Sequence, residues 1–156
     1  TDSIFNNLYN LTYEPTNIIE NIYLGNAYNA SNYSNLIQNN IGLIVNITSE
    51  ISNYYSYSNE FEYYNIDIED NNNNHIQSHI DNVLNKIHEY KKANPDKNIL
   101  IHCFMGSSRS ASLVVAYLYK NHNMSIDDAI VFIKNKRELV NINTTFIKDL
   151  HIWSNL

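Results

Sequence analysis

Apolar residues along this chain fall into runs of two kinds. Ile18–Leu24 reads as a short strand ending at Gly25, and the first kind of run is short and continuous: Ile41–Ile47, and Ile99–Ile101 inside Asn98–His102. Runs of this length, rich in Ile, Leu and Val, suit strands buried on both faces of a sheet. Phe61–Ile68 alternates instead, with Tyr64, Ile66 and Ile68 on one face, which is the period of a strand. The second kind repeats at helical spacing. Ile76, Ile80, Val83, Leu84 and Ile87 form one stripe, closed by Pro95. Ser110–Tyr119 is apolar nearly all round and predicts a central buried helix. Ile126, Ala129, Ile130 and Ile133 form a third stripe behind Ser125 and Asp128, a capping-box-like start. Phe146, Ile147, Leu150 and Trp153 predict a last helix with Asn143 as N-cap.

Between these elements, Thr1–Asn17 reads as an arm packed on the domain, and Tyr28–Asn40 as a loop and short helix. Ile51–Asn59 is a Ser/Asn/Tyr loop, and Asn71–Asn74 is a polar tract. Strands alternate with helices in the middle of the chain, and helices dominate its end. That order predicts an α/β fold, a central, mostly parallel, twisted sheet flanked by helices. No internal repeat or second domain is visible, so residues 1–156 read as a single domain. The start at Thr1 and not Met leaves room for a longer parent chain.

Composition narrows the functional classes. Apolar residues make up 44% of the chain, enough for a core without disulfides or metals. Charged residues are only 17%, because Asn carries much of the polar surface. Asn-based motifs, such as the Asn46-Ile47-Thr48 triplet, therefore carry little weight. The net charge is −6. A basic nucleic-acid footprint and a polybasic lipid-binding run are both absent. No apolar stretch approaches the ~20 residues of a membrane span, and the first residues show no signal peptide. The expectation is a cytoplasmic or nuclear monomer with neither nucleic-acid nor membrane partners. An acidic chain that handles phosphate must do so in a local pocket. The single Cys excludes an intrachain disulfide and a Cys-rich metal site. It is either a small buried hydrophobe or a nucleophile.

The stretch after Ile99–Ile101 decides between these. His102-Cys103-Phe104-Met105-Gly106-Ser107-Ser108-Arg109-Ser110 delivers a Cys from a buried strand into a short loop, which closes with an Arg at a helix start. The amides of Phe104, Met105, Gly106, Ser107, Ser108 and Arg109 can point inward as an anion-binding nest, and the helix adds its positive end. Thiols in comparable settings drop from about 8.5 to roughly 3.5–7.5 and act as thiolates. Gly106, one of 3 glycines, supplies the backbone freedom the curve needs. Arg109 can hold two phosphate oxygens with its planar fork, and Arg137 is the chain's other Arg. Ser110 can hydrogen-bond the sulfur and make it a better leaving group. His102 organises the loop.

The His102-Cys103-x-x-Gly106-x-Ser108-Arg109-Ser110 pattern resembles the signature loop of protein tyrosine phosphatases, in the dual-specificity branch. Ile22-Tyr23-Leu24-Gly25, Ala116-Tyr117-Leu118, Met124-Ser125 through Ala129, and Asn143, Phe146, Leu150 and Trp153 resemble further family segments in the same order. The resemblance implies a phosphatase-like fold of dual-specificity type. It also implies a signalling hydrolase that removes phosphate from phosphotyrosine and phosphoserine/threonine of phosphoproteins through a phosphocysteine, without metal or cofactor. Cys103 would be the nucleophile and Arg109 the clamp. The family also needs an acid on a separate loop. Tyr64-Asn65-Ile66-Asp67-Ile68-Glu69-Asp70 resembles the strand that ends in it, and the register of Ile66 and Ile68 selects Asp70 over Glu69 and Asp67. Phe104 and Met105 are bulkier than residues often found in this loop, and either shape its rim or pack beneath it.

His75 and His79 have a helical metal spacing, but Ile76 stands where a zinc protease would place Glu and no third ligand is evident; they read as solvated helix-start residues. The rivals to a phosphatase are a phosphate-binding adaptor without turnover and a sulfurtransferase. The presence of all three catalytic residue types, Cys103, Arg109 and Asp70, argues against the adaptor, and Asp70 with Ser110 after Arg109 argues against the sulfurtransferase. Lipid and RNA phosphatases usually carry extra basic residues in this loop, and Phe104, Met105, Ser107 and Ser108 supply none, so a phosphoprotein is the expected substrate.

Overall fold

The structure, a computed structural model, describes residues 13–156. Most of the arm read over Thr1–Asn17 lies outside the described residues, and its last two residues open the first strand. Five strands, β1 (Thr16–Ile19), β2 (Ile22–Gly25), β3 (Ile41–Asn46), β4 (Glu62–Asn65) and β5 (Asn98–His102), form one sheet in the order β1-β2-β5-β3-β4. β1 runs antiparallel to β2, and the other pairings are parallel. The expected flanked, mostly parallel sheet is the observed one.

The apolar runs of β3 and β5 are buried on both faces, as read. Leu43, Val45, Ile99 and Ile101 face the larger core, and Ile44 and Leu100 the smaller one. Helix α4 (Arg109–His122) lies at the centre of the larger core. Around it pack α3 (Gln77–Ala93), α5 (Ile126–Lys136) and α6 (Thr144–Ser154). The opposite face carries the short helices α1 (Ala27–Ser31) and α2 (Tyr33–Gln38), both begun by an Asn cap, Asn26 and Asn32. Ser125 and Asn143 cap α5 and α6 by accepting from the Asp128 and Phe146 amides, as the sequence pattern predicts.

Three boundaries differ. The run Ile18–Leu24 is not one strand: the chain reverses at Glu20, whose φ is 45°. Asn17 Nδ2 donates to the carbonyls of Glu20 (2.9 Å) and Ile22 (3.4 Å) and braces the turn. The strand read over Phe61–Ile68 pairs only over Glu62–Asn65, and Ile66 and Ile68 are buried after the chain has left the sheet. The central helix starts at Arg109 and continues to His122, where Asn123 in the left-handed region (φ 56°) ends it.

Candidate active site

The parallel strands β2, β3, β4 and β5 all deliver their carboxyl ends to one edge of the sheet, the place where open α/β sheets bind ligands. β5 runs into Cys103, β3 into the turn holding Glu50, β4 into the segment ending at Asp70, and β2 into Gly25 and the start of α1. Register enforces this: Asn46 of β3 and Gly25 of β2 both lie level with His102 of β5.

The loop between Cys103 and Arg109 is held from outside by its carbonyls. Phe104 O accepts from Ala27 N at 3.0 Å, Ser107 O from Asn141 N at 2.8 Å, and Ser108 O from Ser112 N at 2.9 Å. The buried Arg137 guanidinium donates to Gly106 O (3.0 Å, from Nε) and Met105 O (3.2 Å), and to Thr16 Oγ1 at 3.1 Å. In a trans peptide the C=O and the next N–H point opposite ways. Five carbonyls pinned outward therefore turn the amides of Met105, Gly106, Ser107, Ser108 and Arg109 inward. The Gly106 amide duly donates to Cys103 Sγ at 3.3 Å. Gly106 sits at φ +70°, and a Cβ there would come within 2.5 Å of Gly25 O, so both backbone and space demand glycine.

Cys103 is 3% exposed, with Ser110 Oγ 3.1 Å from its sulfur. Arg109, 4% exposed, reaches Glu50 bidentately (2.8 and 2.9 Å) and the Ile68 carbonyl (2.9 Å). Burial works against the Arg109 charge, and the Glu50 hydrogen bond together with the nearby Cys103, Glu50 and Asp70 side chains outweighs it, so the guanidinium is held above the usual arginine range. In turn, the hydrogen-bonded Arg109 lowers Glu50 to about 2. Arg109 Nε is the one buried side-chain N or O among the described residues without a partner. Such an orphan donor costs on the order of 1–3 kcal/mol, which an acceptor placed there would relieve.

Asp70 is exposed on the rim of an open cleft of about 370 Å³ that it shares with Glu50, Glu69 and Arg109. Asn143 Nδ2 donates to Asp70 Oδ1 at 2.9 Å, and the Asn143 amide donates to Ser108 Oγ at 2.9 Å. One residue therefore ties the segment ending at Asp70 to the loop between Cys103 and Arg109. Asp67 does not line the cleft and Glu69 does. Phe104 and Met105 are 53% and 56% exposed, which places them on the rim and not beneath the loop. A larger hollow of about 540 Å³, between the start of β3, β4 and the end of α3, holds none of these residues.

His102 is buried and its Nδ1 donates to the Cys103 carbonyl at 3.2 Å. Burial pushes the imidazole down to about 4, partly offset by that hydrogen bond. The unfolded chain takes up the proton near the ordinary value, so it holds more protons than the folded chain between pH 6.5 and about 4. Stability is expected to fall by on the order of 3 kcal/mol as pH drops through that window. Urea unfolding at pH 7, 5.5 and 4 checks this, and His102→Asn should lack this part of the loss. His75 sits 3.0 Å from Asp149, whose carboxylate also accepts from the Ile76 amide (2.9 Å) at the start of α3.

Pattern reading brought together Cys103, Gly106, Arg109, Ser110 and Asp70. It did not assign Glu50, and it noted Arg137 without giving it a partner. The available signal for Arg137 was scarcity: it is one of two Arg in a chain that favours Lys. Glu50 gave no local signal beyond its place just past a buried strand.

The catalytic-domain model described as "Dual specificity phosphatase, catalytic domain" matches residues 22–155. The chain belongs to the dual specificity phosphatase family. Protein phosphatase Slingshot of Drosophila melanogaster is 34% identical over 142 residues, covering 91% of this chain and 13% of that protein. Dual specificity protein phosphatase 1 of Homo sapiens is 30% identical over 136 residues, covering 87% of this chain and 36% of its own length. This dual specificity phosphatase domain thus spans well under half of either relative. The crystal structure of a human tyrosine phosphatase-like serine/threonine/tyrosine-interacting protein superimposes with a TM-score of 0.84 at 24% identity, covering 92% of this chain and 97% of that one, and shows the same fold. In the phosphatase domain, no described helix is long and apolar enough to cross a membrane.

Proposed function

We propose that the domain hydrolyses phosphomonoesters on phosphoproteins, acting on phosphotyrosine and phosphoserine/threonine through a phosphocysteine. The carrying observation is the outward pinning of five loop carbonyls by Ala27, Arg137, Asn141 and Ser112. This leaves a ring of amides and the unpartnered Arg109 Nε for the oxygens of one phosphate.

The Cys103 sulfur attacks phosphorus in line with the leaving oxygen. The amides and Arg109 hold the equatorial oxygens, where charge spreads in the transition state. Glu50 fixes the plane of the guanidinium, so its free edge is already oriented. Asp70 gives its proton to the leaving oxygen as the P–O bond breaks, which releases the alcohol or phenol. Water then attacks the phosphocysteine, Asp70 takes a proton from it, and the S–P bond breaks to return the sulfur, with the Ser110 hydroxyl donating to it, and inorganic phosphate. Phe104, Met105, Gly106, Ser107 and Ser108 act through their backbones. The domain acts as a single unit.

p-Nitrophenyl phosphate and a phosphopeptide panel test the reading, and absence of turnover of both would overturn it. Asp70→Asn should lower kcat on the order of 10²–10⁴-fold for a poor leaving group. The alkaline limb of its rate–pH profile should flatten, because no acid remains to be lost. A bell of unchanged shape would remove Asp70 from that role.

A further inference from the structure

The cleft lined by Arg109 carries three further charged side chains, Glu50, Glu69 and Asp70. The Glu50 carboxylate is committed to Arg109, so the pair contributes little net field. Glu69 remains as the outward charge, joined by Asp70 whenever its carboxyl has no proton to give. The adjoining depression over Asn71, Asn72, Asn141 and Asn143 is lined by amides and adds no charge except Asp70 itself. Among the described residues lining either hollow there is no lysine. A second observation marks this acidic rim as the border of a ligand site: the Arg109 side chain, 4% exposed, lines the same cleft with its Nε unpartnered. An anion is therefore received at the floor while carboxylates surround the entrance.

These two features select different parts of one ligand. The phosphoryl group is held by fixed dipoles and Arg109 at short range. The groups on either side of it meet the field of the rim, where the carboxylate of exposed Glu69, touched by Asn71 Nδ2 at 3.2 Å, faces solvent. Like charges placed against that rim cost free energy, and opposite charges gain it.

We propose that the cleft selects phosphoproteins carrying lysine or arginine beside the phosphorylated residue, with Glu69 as the side chain that reads the charge. This rests on the phosphatase reading above and deepens it. It places acidic phosphopeptides, multiply phosphorylated segments and inositol phosphates among the poor substrates.

The test uses the domain itself and three phosphotyrosine peptides that differ only in the two flanking residues: arginine, alanine or glutamate. p-Nitrophenyl phosphate serves as the reference. At 50 mM salt, kcat/KM should fall about tenfold from the arginine to the glutamate peptide, and the spread should shrink to about threefold or less at 500 mM salt. Glu69→Gln should cut the arginine-to-glutamate ratio by about 2–3-fold, and Glu69→Arg should bring it to one or invert it. Each ratio is taken within one variant, so any change in overall rate cancels. Equal rates for the three peptides, a preference for glutamate, or faster turnover of an inositol phosphate than of the arginine peptide would overturn the proposal while p-nitrophenyl phosphate turnover leaves the phosphatase reading standing. A ratio unmoved by both Glu69 variants would overturn the role of Glu69. Loss of turnover of every substrate by the unaltered domain would sink both readings.

Discussion

Replacing Cys103 by serine is expected to abolish turnover while leaving phosphate binding largely in place. The hydroxyl is a far weaker nucleophile and a poorer leaving group than the sulfur it replaces. Loss of the attacking group should lower kcat by at least about a thousand-fold. The anion site, however, is built from backbone. The carbonyls of Phe104, Met105, Gly106, Ser107 and Ser108 keep their outside partners in the variant, and Arg109 keeps Glu50 and the Ile68 carbonyl. Inorganic phosphate, followed by calorimetry, should therefore bind Cys103→Ser within a few-fold of the unaltered domain. Turnover within tenfold of the original rate would refute the nucleophile assignment. Loss of both turnover and binding, in a variant with an unchanged melting temperature, would show that the amide ring is not sufficient to hold the anion.

Arg137→Met is expected to be the most damaging single change outside the reacting groups. The guanidinium is 0% exposed, and burial pushes it down to about 10, with the charge at Cys103 opposing that push. No carboxylate contacts it among the described residues; its partners are Thr16 Oγ1 and the carbonyls of Met105 and Gly106. Methionine fills much of the volume but strands both carbonyls, at about 1–3 kcal/mol each. It also removes the brace that turns two amides toward the sulfur, and a positive charge behind the loop. A loss of about 4 kcal/mol would lower the melting temperature of a domain this size by roughly 10 °C. Calorimetric melting checks the first effect. Phosphate affinity at 15 °C, where the variant should still be folded, checks the second and should fall by at least about tenfold. Unchanged melting would mean that the two carbonyls find other donors. Unchanged affinity would mean that the loop holds its shape without Arg137.

Local features carried well from sequence to structure for a common reason. The stripe Ile76, Ile80, Val83, Leu84, Ile87 is buried along α3 as its spacing predicts, because a helix of period 3.6 must present those positions together. Asn143 and Ser125 cap the helices that follow them, because a cap acts within three residues. The Ile18–Leu24 segment read as one strand because apolar residues stand on both sides of the polar pair Glu20-Asn21, and the positive φ of Glu20 with the brace from Asn17 makes that pair a reversal. Phe104 and Met105 stayed open until their exposure was known, because two bulky apolar residues fit a rim and a floor equally well by type.

By itself the sequence determined the strand–loop–helix segment from His102 to Ser110, the candidate acid at Asp70 and the mostly parallel layered fold, since each is encoded by neighbours within a few residues. Only the tertiary structure decided that Glu50 holds Arg109, that Arg137 holds the back of the phosphate loop, and that Asn143 joins Asp70 to Ser108. Those pairs lie tens of residues apart and meet because β3 and β5 align in parallel, Asn46 level with His102, while α5 and α6 return the chain to the same edge of the sheet. A charged side chain far along the chain bears no local sign of its partner; only the packing of strands and helices sets the distance between them.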